Sequence, residues 1–582
     1  MKIRSRVNTG ILLFAFIVNS YVFSQGIDNN IKNPIEYFNN ITEAISLAKS
    51  EKWQEAIPIL EKLTQAYQKD GDVFYLLGLS YYQLQQYPNA IKALKKNLDL
   101  GGGTVLTGNP VGSDPSNDIM IHIAKAYALN DDKSNTMLWL QKGFEARYDE
   151  KPFLIGDPAF ESFSDDKDFK ALFGIDTDEN ISREIAWEKD LIYLEKRIKE
   201  LLHPNNKALI KTDFSKSIQN LIAKITTLPD EQIVVEVMKV IGSLGSGHNL
   251  IIPTSPKLGA LKKLPVQFYQ FSDGLFIVDA EKGYDQWIGY EVKLIESTPV
   301  EEALKKTSAV NARDNDMQVL WLGPYYLGLP DVLEGLGIIK NTNEIVITLS
   351  NSKENVQQVT MNSVSWTFSG LAKMPKLKAE KQPLFLSKRD DLYWFKLLPE
   401  HNAIYVQFNL VGQKEEQSLK DFNIELRRQI NQNKVQNFIL DLRHNNGGDG
   451  AILGPMIKTI IKFEAINTEG TIFVLAGRET FSAAQNLLTR ISTNTNAVIV
   501  GESSGSSPNF TGESGWFRLP NSGLMGIVSS QYHQSSESED NRKWIAPHIP
   551  VGRSSTDYFA GNDKAMDVII EVIKSSGKEN KK

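Results

Sequence analysis

The segment Thr471–Thr493 constrains the fold of this chain more than any other stretch. The run Thr471–Leu475 is short, apolar and β-rich. Gly477 breaks it, and Ala483, Ala484, Leu487, Leu488 and Ile491 then recur at helical spacing. The spacing predicts a buried strand, a tight turn and a helix that starts at Ser482. Neighbouring segments repeat this alternation. AIYVQFN (403–409), VQNFILDL (435–442) and AVIV (497–500) read as strands, and 418–432, 452–463 and 565–575 read as helices. Over 376–575 the pattern predicts an α/β layer with largely parallel strands, with reactive residues in loops at the strand ends.

A serine at a helix N-terminus sits beside unpaired N–H groups and the positive end of the helix dipole. Such a position can hold an oxyanion next to a nucleophile. It is equally where a plain capping serine belongs. A second loop, DLRHNNGGDG (441–450), also follows an apolar strand. Gly447 and Gly448 let backbone N–H groups turn towards a bound oxygen without a Cβ in the way. A glycine N–H beside that of Ala483 would make a two-donor oxyanion hole; the alternative is a simple strand-to-helix turn. No G-K-[ST] follows, which argues against a phosphate loop.

The N-terminal half reads differently. Ala56 and Ala90 lie 34 residues apart in QEAIPILEKL and PNAIKALKKN, and Leu77, Gly78, Tyr81, Ala90 and Leu94 fit a tetratricopeptide-like helical repeat over 38–175. A third copy (Ala124, Tyr127, Thr136, Leu140) follows a Gly/Ser/Pro-rich insertion at 101–117. Such a stack offers a docking surface for a protein partner, or is plain α-hairpin packing. A helical lead-in is expected over 181–260, with Trp187, Leu191, Leu194 and Ile198 on one face and a SGHN turn that presents His248. Strands DGLFIV, YEVKLIES and NEIVITLS fall in 261–362, where IGYEVKLIESTPVEEAL (288–304) has the layout of a PDZ-like module or of a generic small β domain.

Charge and composition narrow the chemistry. The net charge of −6 is spread along 582 residues without a basic block, which argues against a nucleic-acid or anionic-membrane surface. The absence of cysteine excludes disulfides, thiolate metal sites and a cysteine nucleophile. No H-E-x-x-H motif occurs, so neither a metal nor a cofactor is expected. Residues 1–24 carry Lys2, Arg4 and Arg6 before the short apolar run Ile11–Val18, the layout of a cleaved secretory signal, the alternative being an uncleaved anchor. A periplasmic or extracellular protein that is not integral to the membrane is therefore expected, without a lipid-anchor cysteine.

The pieces FILDLRHNNGG, ETFSAAQNL and VIVGESSGSSPNF together resemble the C-terminal processing (tail-specific) serine peptidases, in the tricorn-core and interphotoreceptor-retinoid-binding-protein-like branch. The resemblance covers roughly 187–575. It implies a multidomain chain: repeats, helical lead-in, PDZ-like β domain, and a crotonase/ClpP-like α/β peptidase core over 376–575. It implies Ser482 as nucleophile, the N–H groups of Ala483 and Gly447 as oxyanion donors, and a polypeptide substrate. One branch takes its base from a lysine about 25 residues after the serine, where this chain has Ser507. The other uses a histidine in an upstream turn, which matches His248. A serine hydroxyl needs a base of near-neutral pKa to attack a carbonyl, and only seven histidines exist. His444, in the glycine loop, is the reserve. An orienting acid is expected before Pro547-His548-Ile549, with Asp540 preferred to Glu539.

The chain departs from that family's pattern at Ser246, Asn249, Gln485 and His548, which leaves altered specificity or a weakened enzyme open. Ser503, in Gly501-Glu502-Ser503-Ser504-Gly505, matches a nucleophile-elbow motif but lacks a following helix pattern. The reading that results is a serine endopeptidase. Its rivals are a non-catalytic peptide-binding scaffold and a hydrolase of small esters.

Overall fold

The computed structural model describes residues 33–102, 116–175, 181–206, 213–258, 261–352, 355–368, 374–375, 377 and 382–579. The leader expected at 1–24 and most of the insertion at 101–117 lie outside them. No helix among the described residues is long and apolar enough to cross a membrane. The chain folds as two compact units. One holds the described residues up to Ala146 together with Pro158–Ser162; the other holds Arg147–Asp157 and the described residues from Phe163 onward.

The first unit is a run of helical hairpins: Pro34–Lys49 with Trp53–Ala66, Gly71–Gln83 with Tyr87–Asp99, and Ser116–Ala128 with Lys133–Glu145. The small residues picked out by the 34-residue spacing sit at the crossings. Ala56 and Ala90 are fully buried. A Cβ on Gly78 would lie 2.7 Å from Leu94 Cγ, so only glycine lets that pair of helices approach so closely. Asp70 and Asp132 cap the following helices by accepting from Val73 N and Asn135 N.

The second unit opens with the helices Arg183–Leu201, Phe214–Ile222 and Asp230–Ser243. Trp187, Leu191, Leu194 and Ile198 are buried there against Phe517, Leu519 and Val528. The strand Leu250–Ile252, immediately after the His248 turn, pairs antiparallel with Met525–Val528. That ladder carries the upstream histidine to the C-terminal part of the chain. A six-stranded antiparallel sheet follows, in the order Val266–Phe271, Gly274–Ala280, Glu291–Ile295, Glu344–Ser352, Asn355–Asn362, with the short strand Thr298–Pro299 also paired to Glu291–Ile295. Val266–Phe271 is an edge strand of this sheet, and the helix Met317–Leu327 packs beside it.

The α/β layer is a six-stranded sheet ordered Tyr393–Leu398, Ala403–Phe408, Asn437–Asp441, Thr471–Ala476, Val498–Gly501, Ile549–Pro550. All neighbours after the first pair are parallel, as the alternation predicts. Phe438, Phe473, Val474 and Val500 are fully buried, each such side chain contributing about 1.5–3 kcal/mol. Helices Leu419–Gln432, Gly454–Ile466, Ala483–Asn494 and Lys564–Glu579 complete the layer. The expected helix at 452–463 begins two residues later, after a 3-10 turn at Gly450–Leu453.

Candidate active site

The strand Thr471–Ala476 ends in a turn that the side chain of Thr480 ties down. Its hydroxyl donates to Leu442 O and accepts from Gly477 N, and Phe481 N donates to Asn445 O. The serine corner and the glycine loop are therefore held as one body. The helix begins at Ala483, with Ser482 as its cap residue at φ +54°, ψ −125°. That region is close to glycine-only, and holding a serine there costs about 1–3 kcal/mol. The Ser482 side chain makes no capping bond. Its Oγ lies 2.9 Å from His248 Nε2. The plain capping role is thus not the one this hydroxyl plays.

His248 is clamped by rings. Phe481 lies 4.4 Å away at 31°, and Phe510 stacks at 5.4 Å and 5°. Burial pushes the imidazole down to about 3; the charge of His533 adds to this and that of Glu513 opposes it. The ring is therefore neutral at pH 7. Its Nδ1 is buried and has no hydrogen-bond partner among the described residues.

Asp540 does not orient this ring. It forms a local fork with Arg542, with Nη2–Oδ2 2.7 Å and Nε–Oδ1 3.0 Å, and that guanidinium holds its carboxyl well below the usual carboxylate range. The charged groups that His248 senses belong instead to His533 and Glu513, which sit 3.3 Å apart. Sequence reasoning missed both. The strands Asn509–Gly512 and Gln531–Gln534 bring them together, and only their antiparallel pairing could have shown it. Asp540→Asn is expected to change peptide or probe turnover by less than about twofold and stability by under about 1 kcal/mol, because its partner Arg542 is half exposed and an asparagine still accepts a hydrogen bond. A tenfold loss of turnover would restore Asp540 to the site.

The glycine loop is divided between two tasks. A Cβ on Gly447 (φ +110°) would lie 2.5 Å from Ser482 Cβ and 3.0 Å from its Oγ, so glycine is required for the corner to close. However, Gly447 N–H donates to Asn445 Oδ1 at 3.0 Å, so its hydrogen is already engaged. This corrects the expectation that Gly447 is an oxyanion donor. Among the described residues no acceptor meets the N–H of Gly448, one residue on, or that of Ala483. The loop is fixed from behind by Arg443, which bonds both Asp441 and Asp563.

The remaining candidates fall elsewhere. The buried ring of His444 packs 5.7 Å from Phe385 and 3.5 Å from Glu479 Oε2, and burial pushes it down to about 4. Ser503 follows the strand Val498–Gly501, but the next element is the strand Asn509–Gly512, not a helix. Ser507 Oγ donates to Lys543 O. Gln485 is buried, with its amide on Thr489 Oγ1 at 3.2 Å. A cleft of about 370 Å³ runs beside the edge strand, lined by Val266, Phe268, Trp321, Tyr325 and Trp366. Trp321, on the wall of this cleft, lies 5.8 Å from Phe481, the residue before Ser482.

Solved structures share this fold. Mature CPAF complexed with lactacystin aligns with a TM-score of 0.50 at 12% identity, covering 68% of this chain and 99% of that one. Mature CPAF alone aligns with the same score and identity, covering 68% and 98%. The photosystem II D1 C-terminal processing protease is also found, at 11% identity and a TM-score of 0.31, covering 66% of this chain and 99% of that one. No family model matches the sequence, and no curated protein matches it.

Proposed function

We propose that this chain is a serine peptidase of the C-terminal processing type, acting on extended polypeptides outside the inner membrane. The observation that carries the reading is the 2.9 Å approach of Ser482 Oγ to His248 Nε2, made by a serine in a strained backbone corner with no capping bond. In the reaction, Ser482 Oγ attacks the scissile carbonyl as His248 Nε2 takes its proton. The oxyanion is met by the N–H groups of Ala483 and Gly448. His248 then returns the proton to the leaving amine, and water resolves the acyl-enzyme. With no carboxylate on Nδ1, the flanking Phe481 and Phe510 rings hold the imidazole in place. The substrate enters as an added strand along Val266–Phe271, between the bonds Leu264 N to Gly328 O and Arg478 Nη1 to Gln270 O. The helical hairpins serve as the docking surface for a protein partner.

Casein or peptide-library hydrolysis by the parent protein, Ser482→Ala and His248→Ala tests this. Turnover confined to the parent supports it; equal turnover by Ser482→Ala sinks it. One observation favours a second reading. An imidazole pushed down to about 3 with no acid on Nδ1 is a weak base, as in a scaffold that binds peptides without cleaving them. That reading expects peptide binding that survives Ser482→Ala and a parent that never turns over.

The same burial sets a pH expectation. The competent base is the unprotonated ring, lost only as pH falls through about 3. His248 therefore gives no acid limb near the ordinary histidine value of about 6.5. Its depressed folded value also adds stability that is present above about 6.5 and lost as pH falls towards 3. The 15N shifts of the His248 ring between pH 4 and 8 check the first point; protonation of the ring with a midpoint at 6–7 would contradict it.

A further inference from the structure

The turn that carries His248 is held by a residue outside the α/β layer. Gly247 N–H donates to Asp314 Oδ1 at 2.8 Å, and Ser506 Oγ donates to Asp314 Oδ2 at 2.7 Å. Asp314 N in turn donates to Gln318 Oε1 at 2.7 Å, on the helix Met317–Leu327. The Gln318 amide occupies the space where a Cβ on Gly247 would sit, 2.2 Å from its Nε2. The next residue, Asn315, donates to Ser504 O at 3.2 Å and Lys543 O at 2.7 Å. One short loop thus clasps the histidine turn, the segment after the strand Val498–Gly501, and the helix that carries Trp321.

We propose that Asp314 is a positioning residue for the catalytic base. Its carboxylate fixes the turn that presents His248 and couples that turn to the helix walling the peptide cleft. The proposal rests on the acyl-transfer reading above. An asparagine could accept the same N–H at less desolvation cost, so an acid held among neutral donors points to use of its charge state.

The carboxylate packs deep in the fold, although the residue is partly reachable from an open cleft of about 590 Å³. Burial pushes the carboxyl up to about 6, against the opposing pull of the Gly247 and Ser506 hydrogen bonds. The charged residues around that cleft are Lys239, Arg313, Asp316 and Lys543. Lys239 is bonded to Glu236 and Gly335 O, and Arg313 to Asp316, Ser308 O and Asn311 O. Lys543 Nζ makes no ion pair among the described residues. His248, on the turn itself, stays neutral in this range. As pH falls through about 6, Asp314 gains a proton and its hold on Gly247 N–H weakens.

The rate of Ser482 labelling by a fluorophosphonate, followed from pH 4.5 to 8.5, gives the first readout. The parent should lose rate as pH falls through about 6. Asp314→Asn should run at a few-fold lower rate but without that limb. Ser506→Ala removes a donor that favours the charged carboxylate, so its limb should move to higher pH. Asp314→Ala should lose about 10–100-fold at pH 8, the scale of one buried N–H left without an acceptor. The second readout is the His248 resonance in [13Cε1]-histidine-labelled protein, assigned by its loss in His248→Ala. It should shift with a midpoint near 6 in the parent and not in Asp314→Asn. A labelled parent with no limb near 6, or the same limb kept in Asp314→Asn, overturns the proposal. A parent that is never labelled overturns the acyl-transfer reading instead. The resonance then decides alone: a midpoint near 6 abolished by Asp314→Asn supports the coupling, and a flat titration overturns it.

Discussion

Ser482→Ala is expected to abolish covalent labelling and to lower peptide hydrolysis by at least about 10³-fold, with the fold retained. Losses of that size follow when a nucleophile acting with a paired base is removed. The substitution keeps the Cβ that packs over Gly447 and removes only the hydroxyl, which bonds His248 Nε2. The φ of +54° strains alanine as much as serine, so the melting temperature should stay within a few degrees of the parent's. His248→Ala should lose activity on the same scale. The double substitution should lose little more than either single one, because the hydroxyl and the imidazole act as a unit. Peptide hydrolysis by all four proteins, read beside thermal denaturation, checks this. Additive losses would mean that the two groups work separately despite their contact.

Gly447→Ala is expected to lower labelling by at least about 10²-fold and to cost about 2–4 kcal/mol of stability, by backbone strain plus overpacking. The glycine sits at φ +110°, and the added methyl would lie 2.5 Å from Ser482 Cβ and 3.0 Å from both Ser482 Oγ and Ala483 N. Relief requires either the loop or the serine corner to retreat, and both carry the proposed reaction. Retreat of the loop also strains the bond from Val411 N to Gly447 O, which joins it to the chain after the strand Ala403–Phe408. The labelling rate and a denaturant melt measure the two effects. A variant as stable and as reactive as the parent would show that this close approach is not required.

The parts of the account legible in the sequence share a physical cause. Strand–turn–helix periodicity is local, so the parallel character of the core strands, the helix after Ser482 and the glycine loop could be read from apolar spacing and breakers. The meeting of His248 with Ser482 was reachable only through the family resemblance, because the ladder that achieves it joins residues 250 and 527. The edge strands Tyr393–Leu398 and Ile549–Pro550 gave no clear period. Asp540 was misplaced because an arginine two residues away outcompetes a distant imidazole. Gly447 was assigned a donor role because its freedom was visible in the sequence, while the claim of Asn445 Oδ1 on its N–H depends on how the loop folds. Asp314 carries no motif at all; its role comes from a loop that crosses between two parts of the fold.

The central claim is that Ser482 is an activated nucleophile and His248 activates it. Intact-mass measurement after incubation with a fluorophosphonate, followed by peptide mapping, tests it most directly. The account expects one adduct per chain on the peptide containing Ser482, absent from Ser482→Ala and slowed at least about 10²-fold in His248→Ala. A folded parent left unmodified, or an adduct that forms equally fast without His248, would contradict it.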